Sequence, residues 1–190
     1  MSHTHNVEET TIFGFWLYVM GDAVLFSALF AAYWVLLPNT FGGPTIREIV
    51  HLPHALAETI LLLFSSFACA PALLAASQRR TVPLVSWFAL VFCIGIAFLA
   101  LELSEFQHLI DAGITWQRSA FLSAFFTLVG THGLHIAFAL VWLAALMAQL
   151  FLRGIDEVLL RRLTCFRLFW QFSVVVWVFM FTVVYLMGAS

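Results

Sequence analysis

The sequence predicts an all-α, polytopic membrane protein, a single transmembrane domain over residues 1–190 built as a bundle of five transmembrane helices. Two observations lead there. Hydrophobic residues make up 63% of the chain, where soluble domains run at about 45–50%, and charged residues make up only 9%. The few charges are also spaced so that long apolar stretches lie between them. A bilayer core about 30 Å thick asks for ~20 mostly apolar residues per helix, and five stretches meet that demand. Closed β-barrels also satisfy backbone hydrogen bonds in lipid, but these runs are too long for barrel strands and do not alternate polar with apolar residues. The same composition, with no lysine at all, excludes a disordered tail, a solvated enzyme shell and a basic nucleic-acid surface. A net charge of -2 selects no partner.

Span one, about residues 12–37, holds a single charge, Asp22. Gly14, Gly21 and Ala28 recur every seven positions along it and Ala32 continues the stripe, a pattern that lets helices approach closely. Pro38, Gly42, Gly43, Pro44 and Pro53 break the chain before span two, about residues 55–77, which has Glu58 near its start and a kink expected at Pro71. Gln78 to Thr81 form a short basic turn, and span three, about residues 82–108, carries Glu102 and Glu105 late. Span four is uncharged over about residues 119–152, which exceeds a perpendicular crossing and implies tilt or a helical overhang in water. Gly130 and Gly133 flank His132 on it. Span five covers about residues 168–188 without a charge. No internal repeat exists and Pro71 is the one proline deep inside a span, Pro83 falling at the start of span three, which argues against a small transporter built from inverted repeats and broken helices.

All eight basic residues are arginines. Arg79, Arg80, Arg153, Arg161, Arg162 and Arg167 fall in the second and fourth connections, whereas Arg47 and Arg118 fall in the first and third. The excess puts the N-terminus in the cytoplasm and the C-terminus in the periplasm. Residues 1–11 contain histidines and acids but no basic n-region, so span one is not read as a cleaved signal peptide. Trp34 and Trp116 fall at the outer boundary and Trp87 and Trp170 near the inner one, where tryptophans anchor helices, and the 21 phenylalanines are expected mostly as lipid-facing bulk. Cys69, Cys93 and Cys165 lie in apolar sequence and are read as small hydrophobes, not as a disulfide framework or zinc site.

An ionisable group at mid-membrane costs at least ~2.5–3.5 kcal/mol, so each one should face protein or water and have a partner. The candidates are Asp22, Glu58, Glu102, Glu105, His132 and His135. No arginine lies inside a span, so the carboxylates are protonated, paired with histidine, or matched by a cation from elsewhere. At 1.5 Å per residue Asp22 lies near mid-depth, level with His132 and His135, which are three apart and share a face of span four. An Asp22–histidine contact inside the bundle follows as an expectation, fixing one imidazole tautomer. Glu58, Glu102 and Glu105 lie toward the outer helix ends, where they either reach interfacial water or face the bundle. All six serve proton handling or simply hold helices together.

Bis-histidine haem needs ligands from two facing helices, whereas the deep histidines share one. A di-iron centre needs two Glu-x-x-His pairs plus two further acids. Glu105 with His108 and Glu48 with His51 match that spacing, although the second pair falls in the proline-bounded loop. Phosphate loops, nucleophile elbows and paired catalytic carboxylates are absent from the sequence.

Taken in order, the polar landmarks resemble subunit III of the haem-copper respiratory oxidases, specifically the cytochrome o (bo-type) ubiquinol oxidase branch. The resemblance covers about residues 13–190 and is carried by FGFWLYVMGDAVLF around Asp22, ETILLLFSS from Glu58, ELSEFQHLI from Glu102, RSAFLSAFFTLVGTHGLH from Arg118 to His135, and FWQFSVVVW from Phe169 to Trp177. Each piece alone is weak, but their order and spacing on successive helices are specific. Five spans are similar to the quinol-oxidase form rather than the longer seven-span form, and an aspartate at position 22, where the cytochrome c branch usually has glutamate, agrees. In the last motif the family's usual histidine and aspartate are replaced by Gln171 and Val174; a local repacking of span five is expected there rather than a lost activity.

The resemblance implies a non-catalytic subunit of a complex that oxidises ubiquinol, reduces oxygen to water and pumps protons across the bacterial inner (cytoplasmic) membrane. Haem and copper would reside in subunit I, and this chain would bind no cofactor of its own. It would pack beside subunit I and the further subunits of the oxidase complex, hold phospholipid in a cleft between its helices, and support assembly and proton uptake. The rival within the class is subunit III of a cytochrome c oxidase. The rival from another class is a self-sufficient di-iron membrane enzyme.

Overall fold

The computed structural model describes residues 2–42, 44–49 and 52–187, and among these the side chains from Thr10 onward other than those of residues 47 and 48. The chain is helical throughout, with no strand among the described residues: α1 (Ser2–Leu36), the single turn α2 (Ile46–Ile49), α3 (Leu52–Ser77), α4 (Thr81–Asp111), α5 (Ala120–Arg153) and α6 (Glu157–Met180), which runs on as a π-helix over Phe181–Leu186. Five segments are long and apolar enough to cross a membrane: Thr10–Leu36, Leu52–Ser77, Thr81–Asp111, Ala120–Arg153 and Glu157–Leu186. The expected side chains of Arg47 and Glu48, and His51 as a whole, lie outside the described residues.

Local chemistry sets the helix ends. The Leu122 backbone N–H donates to Ser119 Oγ at 3.1 Å, capping α5, and the Leu159 N–H donates to Asp156 Oδ1 at 2.6 Å, capping α6. Between those helices Gly154 takes φ +73°, a left-handed conformation that glycine adopts without a Cβ penalty. The α3–α4 turn achieves the same reversal with Arg79 at φ 55°, a placement that costs a non-glycine residue about 1–3 kcal/mol.

Capping by Asp156 corrects the expected start of span five near residue 168. The helix begins at Glu157, so Arg161, Arg162 and Arg167 ride on α6 and do not belong to a connection. Their long apolar stems let a guanidinium reach water from a helix that has already entered the bundle; Arg162 donates to Gln149 Oε1 across the α5–α6 corner at 2.5 Å. Charge alone therefore marks where lipid begins, not where the helix does. The 34 residues of α5 span about 50 Å at 1.5 Å per residue, more than the bilayer core, in keeping with overhang or tilt.

Helices α3, α4, α5 and α6 form a closed ring in which each packs on the next and α6 returns to α3, while α1 leans from outside on α5 and α6. The α3–α6 seam closes the ring through side-chain hydrogen bonds. Trp177 Nε1 donates to Thr59 Oγ1 at 3.1 Å and Trp170 Nε1 to Ser65 Oγ at 3.1 Å. Ser66 Oγ donates to Gln171 Oε1 at 2.7 Å, and Gln171 Nε2 returns a bond to the Ser66 carbonyl at 3.2 Å. Gln171 thus uses both halves of its amide to clamp α6 on α3, whereas Val174 is buried in the core without a polar contact to make.

Three packing expectations are corrected. Trp170 is not an interfacial anchor: it is fully buried, because the Ser65 hydroxyl supplies the partner its indole N–H requires. Many phenylalanines, among them Phe88, Phe98, Phe121, Phe125, Phe166 and Phe169, fill the core rather than face lipid. The glycines of the small-residue stripe on α1 face open space among the described residues, since a Cβ on Gly14 or Gly21 would meet nothing within 4 Å. Gly133 behaves as expected, for a Cβ there would lie 2.7 Å from Glu102 Oε2. Arg79 donates to Glu157 at 2.5 Å, which brings the α3–α4 and α5–α6 turns to the same end of the bundle. Cys69, Cys93 and Cys165 are free thiols.

Candidate functional site: two buried polar clusters

The six ionisable residues singled out from the sequence divide between two places in the bundle, with His132 apart from both. Where α1 crosses α5, His135 Nε2 lies 3.6 Å from Asp22 Oδ2, and both side chains are largely shielded, 17% and 13% exposed. The other ring nitrogen, His135 Nδ1, is 2.8 Å from the Thr131 carbonyl. A carbonyl only accepts, so Nδ1 carries the hydrogen and Nε2 is the nitrogen turned toward Asp22, at a separation longer than a hydrogen bond. Phe169 stacks on the imidazole at 5.9 Å and Phe26 lies tilted against it at 5.0 Å, while the Tyr18 hydroxyl is hydrogen-bonded to Asp22. The expected aspartate–histidine juxtaposition is thus present, with His135 as the histidine.

His132 turns the other way. It is fully buried, and its Nε2 lies 3.1 Å from the Ser173 carbonyl on α6, to which it must donate. Phe98 meets it edge-on at 5.7 Å and Trp177 lies at 5.1 Å. Three residues along a helix rotate a side chain by about 300°, or 60° short of a full turn. That is enough here to send two histidines into different helix seams.

The second cluster lies at the end of the bundle away from the Gln78–Arg80 turn. Glu58 on α3 and Glu102 and Glu105 on α4 are 0%, 2% and 7% exposed, so they face the interior and not interfacial water. Glu102 lies flat against α5 because position 133 is glycine: its carboxylate occupies the space a side chain would take. The three carboxyl groups are close enough to interact electrostatically, and His54 interacts with Glu105. Tyr185, brought in by the π-helical end of α6 and fully buried, is near enough to interact electrostatically with all three. A cleft of about 350 Å³ lined by His54, Ser104, Glu105, His108 and Leu109 adjoins the group. Tyr185 and His54 were not legible as members from the sequence; a lone tyrosine near the end of an otherwise apolar span was the one available signal.

Among the described residues no three His, Cys, Asp or Glu side chains converge on a metal-sized centre. Of the two Glu-x-x-His pairs, Glu105 belongs to the acid cluster and His108 lines the adjoining cleft, while the Glu48 side chain and His51 lie outside the described residues.

Comparison with known proteins adds the relationship. Residues 1–189 match the family model described as cytochrome c oxidase subunit III. The chain is similar to a cytochrome bo(3) ubiquinol oxidase subunit 3 from Pseudomonas aeruginosa, 48% identical over 98% of this chain and 90% of the relative. It is 45% identical to one of the same name from Pseudomonas putida, over 97% and 89% of the two chains. A cytochrome c oxidase subunit 3 from a Bacillus species is 42% identical over 92% of this chain and 84% of that protein. With a family match over nearly its whole length and a bundle of five membrane-crossing helices, the chain is a membrane protein that belongs to the cytochrome c oxidase subunit III family.

Proposed function

We propose that the chain is subunit III of a proton-pumping haem-copper ubiquinol oxidase in the bacterial inner membrane, a non-catalytic subunit packed beside the subunit that carries haem and copper. One observation carries this reading: the two Pseudomonas relatives, similar over nearly the whole chain, are both subunits 3 of a cytochrome bo(3) ubiquinol oxidase. The complex would oxidise ubiquinol, reduce oxygen to water and move protons, and no step of that chemistry is assigned to a residue of this chain.

Its own contribution is structural and protonic. Asp22 and His135, 3.6 Å apart, form a polar pair between α1 and α5 in support of proton uptake by the catalytic subunit. Two apolar grooves flank α1, one of about 500 Å³ against α5 lined by Phe15, Tyr18, Phe138 and Trp142, the other of about 390 Å³ against α6 lined by Phe26, Phe30, Phe172 and Phe179. Their hydrocarbon walls suit phospholipid acyl chains. The end of the bundle joined by Arg79 and Glu157 also carries Arg80, Arg153, Arg161 and Arg162; by the preference of arginine for cytoplasmic loops that end faces the cytoplasm, with the N-terminus on the same side and the C-terminus opposite.

The Bacillus relative, a cytochrome c oxidase subunit 3, favours a second reading in which the electron donor is cytochrome c. Oxygen uptake by the complex purified through a tag on this chain separates the two. Turnover with a short-chain ubiquinol and none with reduced cytochrome c supports the proposal; the reverse pattern refutes it.

A further inference from the structure

The interior acid cluster goes beyond that reading. Glu58 Oε1 and Oε2, Glu102 Oε1 and Oε2, Glu105 Oε1 and the Tyr185 hydroxyl are all buried, and none has a hydrogen-bond partner among the described residues. Buried oxygens of this kind are ordinarily satisfied, because an unmade bond in low dielectric forfeits the hydration lost on burial. Among the described residues no arginine is ion-paired with them, and the Arg79–Glu157 pair lies at the opposite end of the bundle. Carboxylate anions packed side by side would repel one another, and the His54 imidazole interacts with Glu105. Neutral carboxyls remove the repulsion, and each then offers one O–H donor together with acceptor oxygens. The groups do not meet each other at bonding distance, so their hydrogens need an intermediary that both donates and accepts.

Water is that intermediary: it is small, bonds two to four polar partners, and is found where buried polar groups line a roomy site. The adjoining cleft of about 350 Å³ beside Glu105 and His54 gives it a route. The Tyr185 phenol, fully buried, without a hydrogen-bond partner among the described residues and near enough to the three acids to interact with them electrostatically, is an independent pointer, because a packing residue at that place needs no hydroxyl. Gly133 is a third feature, since it leaves room for the Glu102 carboxyl where any side chain would displace it.

We propose that Glu58, Glu102, Glu105 and Tyr185 form a proton-holding site, with neutral carboxyls bridged by bound water, at the end of the bundle away from the Gln78–Arg80 turn. The ligands are water and protons, and the site is distinct from the Asp22–His135 pair. Bridging moves no electrons: a proton leaving one carboxyl oxygen is received by a water oxygen, and that water passes another proton to the next acceptor.

Infrared spectra of the complex purified from native membranes, recorded in H2O and D2O, test the site. Glu58→Gln, Glu102→Gln and Glu105→Gln should each remove intensity from the carbonyl band of protonated carboxylic acids. The band should move to lower frequency in D2O, and Tyr185→Phe should shift what it does not remove. An undiminished band in all three glutamine variants overturns the proposal, because the carboxyls would then be ionised. A band that is lost on substitution yet does not move in D2O also overturns it, because the acids would be neutral but dry. Should the glutamine variants fail to assemble, the wild type and Tyr185→Phe decide: a band indifferent both to D2O and to loss of the phenol refutes the site. Asp22→Asn, which leaves this cluster untouched, should leave these bands in place whatever becomes of the proposed role of Asp22.

Discussion

Thr59→Val tests how the ring of helices is closed. Valine has nearly the shape of threonine but no hydroxyl, so the change leaves the packing of α3 on α6 almost intact and deletes the acceptor of the bond that Trp177 Nε1 makes at 3.1 Å. Trp177 is fully buried among Phe98, His132 and Tyr185, with ring centroids 4.8, 5.1 and 6.0 Å away, and Thr59 is the acceptor its N–H uses. Leaving a buried donor unsatisfied costs about 1–3 kcal/mol. Trp177→Phe is the complementary change. It removes the donor and leaves Thr59 with the bond its hydroxyl donates to the Ala55 carbonyl at 2.7 Å, so the polar part of its cost is smaller even though a cavity is added. The interaction between the two side chains, isolated by the double variant, should fall near the ~0.6 kcal/mol average for hydrogen bonds inside membrane bundles and below the ~1.7 kcal/mol maximum. Unfolding of the purified chain in mixed micelles, followed by tryptophan fluorescence and far-ultraviolet dichroism, measures all four species. A Thr59→Val chain as stable as wild type would refute the argument that the indole depends on this hydroxyl.

Gly133→Ala should destabilise the bundle by about 1 kcal/mol, the low end of overpacking, because the new methyl would lie 2.7–3.0 Å from the Glu102 carboxyl atoms, the far end of a flexible side chain that can shift; the same unfolding assay reads it. Gly21→Ala in the isolated chain should be neutral or stabilising by up to ~1 kcal/mol, since nothing lies within 4 Å of the added Cβ and alanine is the better helix former. Infrared difference spectra should separate the two histidines: replacing His135 should move the carboxyl signal that Asp22→Asn abolishes, and replacing His132 should not, because only His135 approaches Asp22. Arg79→Ala should change stability by less than about 1 kcal/mol in thermal unfolding and by still less at high salt, for Arg79 and Glu157 are 61% and 75% exposed.

Long apolar runs left the helix count legible, and so was the level of Asp22 with the span-four histidines, because depth in a helix is simply counted. What counting could not supply was direction around the helix axis. His132 and His135 share a face by spacing, yet the seams of the ring cut that face in two, and only coordinates tell which histidine meets α1. The start of α6 was hidden for a different reason: arginine stems extend the helix past the point where charge suggests lipid ends. Trp170 was misread because a tryptophan near a boundary looks like an anchor until a serine on another helix is seen to accept its N–H. The acid cluster was half visible. Glu102 and Glu105 announce a shared helix face, but Tyr185 joins them through a π-helical end that no periodicity foretells, since such single turns of i→i+5 bonding break the 3.6-residue pattern on which reading a face depends.

The central claim is that this chain serves an oxidase from beside its redox centres. Purification from native membranes through a tag on this chain, followed by detergent dissociation of the subunits and visible spectra of each fraction, tests it most directly. The intact complex should show haem and oxidise ubiquinol, and after dissociation the haem absorbance should follow the partner subunit. A Soret band or iron in fixed ratio in the fraction holding this chain alone would contradict the account, as would a tagged chain that emerges from native membranes with no haem-containing partner.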